Sequence, residues 1–203
     1  MPSLTNLHVC TTPDTVATAA INVLTDAFRD GAVARWAEPD TEARTAYLRT
    51  YFTGLVMHAL EHGVVRLADA GRRTAGVAVW YRYPQPEDTP DVHAISGVSP
   101  ADPNRVAEKR LTVLETLLAD RHPTQIPHWY LAYLGVHPAY QNQGVGTMLL
   151  TDQPDRDTVH AYLEANDPRN RALYRRHGFL DHGRHVTGHH GPAVYPMWRP
   201  ASC

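Results

Sequence analysis

Apolar residues recur at spacings of three and four in two stretches of the N-terminal half, which predicts two amphipathic helices. The first follows Asp14, a suitable N-cap, and Gly31 is expected to close it. The second extends from about Asp40 to His62 and stops at Gly63. We expect both apolar stripes to face the core: Val16, Ala20, Val23, Leu24, Ala27 and Phe28 in the first helix, and Leu48, Tyr51, Phe52, Leu55, Val56 and Leu60 in the second.

The pattern then changes to short apolar runs separated by turn residues. Val64 to Ala70 and Thr74 to Tyr81 predict a hairpin around Gly71, Arg72 and Arg73. Five prolines and scattered acids in the segment 84–104 predict a long surface loop, of the kind that often covers functional sites.

The C-terminal half alternates between the two patterns. The predicted elements are a helix from Asn104 to about His122, strands over Trp129–Val136 and Thr158–Ala165, a helix over Pro168–His177, and strands over Phe179–Val186 and Val194–Arg199. Together with the N-terminal elements, this order predicts a mixed sheet with helices on its faces.

Composition narrows the possible classes of protein. With 203 residues, 43% of them hydrophobic, a single domain over 1–203 is the default. A formal charge of -2 argues against a nucleic-acid partner. No stretch has the length of a membrane span or the pattern of a signal peptide, so we expect a cytoplasmic protein that does not associate with membranes. Cys10 and Cys203 are expected to be free thiols.

The segment from Gln141 to Gly146 begins a helix directly after an apolar strand. Its N–H groups have no intrahelical partners and lie at the positive end of the helix dipole, so an anion such as phosphate could bind there. The pattern is neither a dinucleotide fingerprint, because Leu149 replaces the third glycine, nor a P-loop. A purely structural turn is the alternative.

Two blocks resemble one family. Gln141, Gly144 and Gly146 after the strand LAYLGV resemble the acyl-CoA pyrophosphate loop of the GCN5-related N-acetyltransferases (GNAT). The block from Tyr162 to Phe179, YLEANDPRNRALYRRHGF, resembles the second signature of that family. With the final MWRP, these blocks cover roughly the last third of the chain, and they look closest to the puromycin N-acetyltransferase type.

The resemblance implies an α+β fold: the GNAT fold, with a mixed, mostly antiparallel sheet of about six to seven strands and helices on both faces. It implies that residues 1–127 shape the acceptor site and that residues 128–200 bind acetyl-CoA as cosubstrate. The implied cofactor-binding residues are Leu134, Gly135 and Val136 beside the pantetheine, Gln141, Asn142, Gln143, Gly144, Val145, Gly146 and Thr147 at the pyrophosphate, and Asn166 and Asn170. Gly135 fits either a bulge or close packing against a facing helix.

The resemblance also implies two catalytic residues. Tyr174, which helical spacing places on one face with Asn170 and Arg171, would protonate the departing thiolate; its alternative is a packing role. Glu164 would accept a proton from the substrate ammonium; its alternative is a salt bridge to Arg169, Arg171 or another neighbouring base. The oxyanion would meet backbone N–H groups near Val136.

The implied reaction is direct acetyl transfer to a primary amine of a small molecule, and the expected class of acceptor is an antibiotic or other natural product, in resistance or biosynthesis. The alternatives are a protein or peptide N-acetyltransferase and a non-catalytic acyl-CoA-binding module. Acidic residues between the first helices and in the Pro-rich loop could steer a cationic amine to the site. They are Glu38, Asp40, Glu87, Asp88 and Asp91.

Three further features of the C-terminal third bear on the site. Pro154 is expected to end the glycine-led helix near Asp152, and a partner subunit in a homodimer could cover its far end. Gln143 stands where relatives often have a basic residue, which predicts modest affinity for CoA. No metal is expected at His182, His185, His189 and His190, because they lack a Cys pair or a helical His pair.

Overall fold

The computed structural model describes residues 4–8, 13–84 and 106–202. The helices of these segments are α1 (Pro13–Phe28), α2 (Ala32–Ala37), α3 (Thr41–His62), α4 (Val106–Ala119), α5 (Val145–Thr151) and α6 (Pro168–Arg176). The strands are β1 (Leu4–His8), β2 (Val64–Ala70), β3 (Arg73–Tyr83), β4 (His128–Val136), β5 (His160–Ala165), β6 (Leu180–Asp181), β7 (Val186–Thr187) and β8 (Ala193–Arg199). A 3₁₀ turn, Pro138–Tyr140, follows β4.

The strands form one mixed sheet in the order β1-β2-β3-β4-β5-β8-β6, with β7 paired to β8. β4 and β5 run parallel, whereas the pairs on either side of them are antiparallel. The predicted mixed, mostly antiparallel sheet is confirmed. None of the helices in the described segments is long and apolar enough to span a membrane.

β4 and β5 separate along their length. They are paired only where His128–Leu131 runs beside His160–Leu163. The register of β4 against β3 shifts after Leu131, because Trp80 pairs with Leu131 while Val79 pairs with Tyr133. Ala132 is therefore the bulged residue, and the sheet opens into a V between the second half of β4 and the end of β5.

The two faces of the sheet have separate cores. One face packs on α1 and α3; its buried residues include Leu24, Phe52, Leu55, Val77 and Tyr81. The other face packs on α5 and α6; its buried residues include Trp80, Leu149, Leu163, Tyr174 and Phe179. The bulge places Tyr130 and Tyr133, three positions apart in one strand, on the same α1/α3 face. In a regular strand an odd separation would put them on opposite faces.

Several predicted boundaries need correction. α1 extends over Pro13–Phe28, so Asp14 lies inside the helix and not at the position that precedes it. α1 ends at Phe28, and Gly31 is the N-cap of α2, a helix that periodicity did not reveal. The single strand predicted over Phe179–Val186 is two short strands, because Gly183 adopts a positive φ of 77° between them.

Other boundaries were predicted correctly. Asp40 caps α3 by accepting a hydrogen bond from the Ala43 N–H at 2.8 Å, and Gly63 ends the helix. α5 stops at Thr151, with Asp152 as its C-cap. The Pro-rich loop, with Glu87, Asp88 and Asp91, lies outside the described residues after Pro84.

Candidate active site

The glycine turn before α5 has the backbone that its sequence requires. Gly144 is the N-cap of α5 with a φ of 88°, and Asn142 has a φ of 61°. Both values lie in the left-handed region, which glycine enters freely and asparagine more easily than most residues. Gly146 is needed for a different reason: a Cβ there would stand 3.3 Å from Leu173 Cδ2 on α6. The second glycine thus lets α5 approach α6 closely.

The glutamines of this turn bind its own backbone. Gln141 Nε2 donates to the Val136 carbonyl at 3.2 Å, and Gln143 Nε2 donates to the Ala139 carbonyl at 3.0 Å. These hydrogen bonds tie the turn to the end of β4. The side chain of Gln143 therefore acts within the turn.

A cleft of about 400 Å³ lies where β4 and β5 separate, between the start of α5 and α6. Most of the residues predicted to bind the cofactor line it: Leu134, Val136, Gln141, Asn142, Gly144, Val145, Gly146, Thr147, Asn166 and Asn170. Gln143 and Gly135 are absent from this lining. A Cβ on Gly135 would stand 3.0 Å from Leu24 Cδ2 and 3.2 Å from Ala27 Cβ, so this glycine admits helix α1, and the bulge is at Ala132 instead.

Two arginines of α6 supply the positive charge of the cleft. Arg169 and Arg176 line it beside the glycine turn, and the Arg169 guanidinium donates to Asn142 Oδ1. Within the turn, Gln143 stands where relatives often have a basic residue. Sequence reasoning missed these two arginines of α6, although Arg169 and Arg176 are seven positions apart, a spacing that places two side chains on one helical face.

A second cavity, which we call the acceptor pocket, has a volume of about 160 Å³ and lies on the α1/α3 face of the sheet. Its walls combine aromatic rings, acids and the apolar sides of α2 and α4; they include Tyr47, Tyr51, Phe52, Tyr130, Tyr133, Glu38, Glu115, Glu164, Val33, Ala34, Leu111 and Leu114. The cleft and the acceptor pocket share five lining residues: Phe28, Leu134, Asn166, Asn170 and Tyr174. The two cavities therefore meet at the end of the V.

Tyr174 lies at this junction. Its side chain is buried, with 7% of the residue exposed, and among the described residues its hydroxyl has no hydrogen-bond partner. Burial, helped by the charge of Asp167, raises the pKa of Tyr174 above the ordinary value of 10.0, so the phenol stays protonated at neutral pH. A buried, protonated and unengaged hydroxyl between two cavities is suited to donate a proton.

Glu164 lines the acceptor pocket from β5. Its Oε2 accepts a hydrogen bond from the Tyr130 hydroxyl at 2.8 Å. Burial raises the pKa of the Glu164 carboxyl to about 7, and hydrogen bonds from tyrosine hydroxyls oppose the rise only in part. A carboxyl with a pKa near neutrality can take up and release a proton under working conditions, as a general base must.

Neither arginine that was named as a salt-bridge partner of Glu164 pairs with it in the described structure. Arg171 Nε and Nη2 donate to the two carboxylate oxygens of Asp181 at 2.7 and 2.6 Å, and the guanidinium lies 4.6 Å from the Tyr195 ring centroid. Arg171 therefore points away from the cleft, unlike Asn170 and Tyr174 on the same helix. Arg169 is engaged with Asn142.

The His-rich turn packs against Trp36 of α2, the helix that contributes Val33 and Ala34 to the wall of the acceptor pocket. A Cβ on Gly188 would stand 2.7 Å from the Trp36 ring, and one on Gly191 would stand 2.9 Å from it, so both glycines lie flat on this α2 side chain. Within the described segments, no group of three or more His, Cys, Asp or Glu residues is arranged to hold a metal ion. The turn instead holds α2 in place.

Similarity to known proteins agrees with this geometry. Residues 106–180 match the family model of the acetyltransferase (GNAT) domain. The chain is 25% identical to the solved structure of a protein described as histone acetyltransferase HPA2 and related acetyltransferase, from Corynebacterium glutamicum. That match has a TM-score of 0.70 and covers 99% of this chain and 98% of the other.

Two further relatives are similar in different respects, one in fold and the other in sequence over part of the chain. The PaiA N-acetyltransferase of Thermoplasma acidophilum, solved in complex with coenzyme A, has a TM-score of 0.54 at 9% identity over 96% of this chain and 99% of that one, which shows the fold alone. The mycothiol acetyltransferase of Jonesia denitrificans is 34% identical over 113 residues, 52% of this chain. This match spans 33%, about a third, of that curated relative. The chain has the GNAT fold, and its relatives support an acyltransferase of the N-acetyltransferase type.

Proposed function

We propose that this chain, which has the GNAT fold and a match to the GNAT acetyltransferase domain over residues 106–180, transfers an acetyl group from acetyl-CoA directly to the primary amine of a small molecule. The observation that carries the proposal is the junction of the two cavities. The cleft with the glycine turn and the acceptor pocket with Glu164 meet at Tyr174.

The cleft suits a long, anionic thioester. Its glycine turn and the arginines of α6 would hold the pyrophosphate, because backbone N–H groups at a helix start and guanidinium groups both favour phosphate oxygens. Where β4 leaves β5, the backbone from Leu134 to Val136 would pair with the pantetheine amides as an added strand does. This path leads from the turn toward Tyr174.

The side chains at the junction supply the proton transfers. Glu164 would remove a proton from the substrate ammonium, directly or through water, so that the free amine can attack the thioester carbonyl. Backbone N–H groups near Val136 would stabilise the oxyanion. Tyr174 would donate its proton to the departing CoA thiolate and regain one from the attacking nitrogen, which loses its second proton as the amide forms. No covalent enzyme intermediate is required.

The acceptor pocket favours a small molecule over a protein. Its volume of about 160 Å³ is close to the roughly 150 Å³ of a cavity that binds benzene, so it would admit one ring or a short chain. The names of the relatives point in both directions, since one is a mycothiol acetyltransferase and another a histone acetyltransferase. The resemblance to the puromycin type extends the proposal to an antibiotic or other natural-product amine.

The binding of acetyl-CoA and the class of the acceptor can be tested one after the other. Calorimetric titration with acetyl-CoA should give a saturable isotherm, and its absence at millimolar ligand would contradict the proposal. A panel of small amines and of peptides with free N-termini or lysines should then be screened for release of CoA thiol. Turnover of small amines supports the proposal. Activity on peptides alone would identify a protein acetyltransferase, and binding without any turnover would identify a non-catalytic acyl-CoA-binding module.

A further inference from the structure

Tyr130 reaches Glu164 across the opening of the sheet. It lies beside Tyr162 in the parallel register of β4 and β5, and the last pair of that register is Leu131 with Leu163. Glu164 is therefore one step beyond the paired part of β5. The Tyr130 hydroxyl bridges this opening, because it donates to Glu164 Oε2 at 2.8 Å. An ionised carboxylate can only accept hydrogen bonds, so the phenol is the donor.

The ring of Tyr130 is held in place by its neighbours. Only 6% of the residue is exposed, and its ring centroid lies 4.7 Å from that of His122, 5.9 Å from that of Tyr162 and 6.0 Å from that of Tyr83. A ring packed in this way keeps its hydroxyl at one position. The hydrogen bond therefore fixes the orientation of the Glu164 carboxyl as well, in the way that supporting residues orient a catalytic group.

The two carboxyl oxygens of Glu164 have different surroundings. Oε2 accepts from Tyr130, whereas Oε1 is buried and has no hydrogen-bond partner within residues 4–8, 13–84 and 106–202. Because a donor already engages Oε2, Oε1 is the oxygen that can take a proton from the substrate ammonium. In that step the N–H bond breaks, its electron pair stays on the nitrogen, and an O–H bond forms at Oε1.

The hydrogen bond from Tyr130 also favours the ionised form of Glu164. It is charge-assisted when the carboxyl is an anion and weaker when the carboxyl is neutral, so it lowers the pKa of Glu164. Burial acts in the opposite direction and more strongly, which leaves that pKa at about 7. Without the hydrogen bond, the carboxyl would be mostly protonated at neutral pH and could not act as a base.

Other titratable groups lie near Glu164. The Tyr162 hydroxyl, on the same strand, lowers the pKa of Glu164 as Tyr130 does, although it lacks a hydrogen-bond partner of good geometry among the described residues. The titratable and charged groups of the other elements around the pocket are Glu38 of α2, Arg44, Tyr47 and Tyr51 of α3, Glu115 of α4, Tyr133 of β4 and Tyr174 of α6. All of them stay in place when only the Tyr130 hydroxyl is removed, so a comparison with the wild type isolates that hydroxyl.

From the hydrogen bond across the opening of the sheet, we infer that Tyr130 is a positioning residue of the transfer reaction. It holds Oε2 of Glu164, so that the carboxylate stays ionised and Oε1 takes the proton of the substrate ammonium. Tyr130 acts through Glu164 and exchanges no proton with the substrate. The inference rests on the proposed function, because it concerns the base of that same reaction.

Tyr130→Phe removes the hydroxyl and keeps the ring with its contacts. Loss of a hydrogen bond to a charged group should raise the pH of the inflection in kcat/KM from about 7 to about 8. With the same amine for both proteins, the ratio of the variant kcat/KM to the wild-type kcat/KM should be about tenfold lower at about pH 6 than at about pH 9. Damage to the fold alone would lower this ratio equally at every pH, and that result would overturn the inference.

Tyr81→Phe is the matched control. Tyr81 is buried in the same α1/α3 core, but its hydroxyl lies 3.0 Å from His58 Nδ1 and the residue is absent from the lining of the acceptor pocket. Its removal should leave the inflection at about 7. Calorimetric binding of acetyl-CoA reports whether each variant is folded. Tyr162→Phe should move the inflection less than Tyr130→Phe; the opposite order would assign the role to Tyr162 and refute the inference.

Titration of the carboxyl by carbon-13 NMR tests the inference without turnover. In protein labelled at the side-chain carboxyl carbon of glutamate, the Glu164 signal is the one that Glu164→Gln removes. Its midpoint should lie near pH 7 in the wild type and about one pH unit higher in Tyr130→Phe. Equal midpoints in a protein that acetylates an amine would overturn the inference alone. No turnover of any amine by the wild type would contradict the proposed function and the inference with it.

Discussion

Burial of Glu164 has a direct consequence for the pH dependence of the reaction. The carboxyl must be ionised to act as a base, and its pKa is about 7. We therefore expect kcat/KM to fall as the pH drops below about 7 and to level off above it. Glu164→Gln should be slower by roughly 10²-fold and should lose this inflection. Ionisation of the amine is common to both proteins, so the ratio of their kcat/KM values isolates the residue. An unchanged inflection would assign the base elsewhere.

The same burial links Glu164 to stability. Its pKa is about 7 when folded and near the ordinary 4.5 when unfolded, so the unfolded chain releases this proton more readily. The protonated carboxyl favours the folded state below 4.5, and this contribution is lost as the pH rises through 7. Urea unfolding should show Glu164→Gln gaining about 1 to 3 kcal/mol over the wild type above pH 7 relative to below pH 4.5. A difference that does not vary with pH would be inconsistent with a buried, ionisable Glu164.

Tyr174→Phe removes one hydroxyl from the junction of the two cavities. Because the phenol is proposed to act only when the thiolate leaves, kcat should fall by roughly 10²-fold while the Kd for acetyl-CoA changes little. Tyr195→Phe is the control, since that ring lies outside both cavities and its contact with Arg171 does not need the hydroxyl. A loss of acetyl-CoA affinity in place of turnover would make Tyr174 a binding residue.

At the level of elements, alanine variants at two glycines can distinguish the effect of backbone strain on stability from the effect of the glycine turn on ligand binding. Gly144 and Gly71 both have positive φ, 88° and 66°, and a Cβ at either would meet no atom within 4 Å. Alanine at either position should cost about 1 kcal/mol of stability because of the left-handed backbone. Only Gly144 lines the cleft, so only Gly144→Ala should weaken acetyl-CoA binding, by about tenfold, as calorimetry would show. If both variants bind acetyl-CoA with equal affinity, the glycine turn is not part of the binding site.

The sequence predicted those element boundaries that depend on neighbouring residues. Asp40 caps α3 and Gly63 ends it, because each of these signals acts within about one turn of the chain. α2 was missed because six residues without a side-chain cap are too short to show a period. The bulge at Ala132 was missed because register depends on the pairing with β3, which is distant in sequence.

Contacts between elements were harder to predict than the elements themselves. Helical spacing placed Arg171 with Asn170 and Tyr174, but Asp181, beyond the end of α6, draws its guanidinium away. Glu164 was identified from its block, whereas the tyrosine that binds it and the opposing carboxylate Glu115 come from β4 and α4. No local pattern links these residues, since only folding brings them to one pocket.

At the scale of the whole molecule, the two cavities beside the splayed sheet are lined largely by different regions of the chain. The segment from β4 to α6 forms most of the cleft, with Ala27, Phe28 and Gly31 completing it, and this segment carries both motifs that the sequence revealed. The acceptor pocket also draws on α1 to α4, which carry no motif. This division explains why the donor of the acetyl group could be inferred from sequence, whereas the features of the acceptor required the structure.

We propose that the cleft and the acceptor pocket together carry out one direct transfer. To test this, the protein is mixed with acetyl-CoA, with and without an amine, and free CoA thiol and acetylated amine are followed together. We predict CoA and acetylated amine in equal amounts when the amine is present, and neither CoA release nor an acetylated protein when it is absent. CoA release that does not depend on the amine, or that leaves the acetyl group on the protein, would contradict the account.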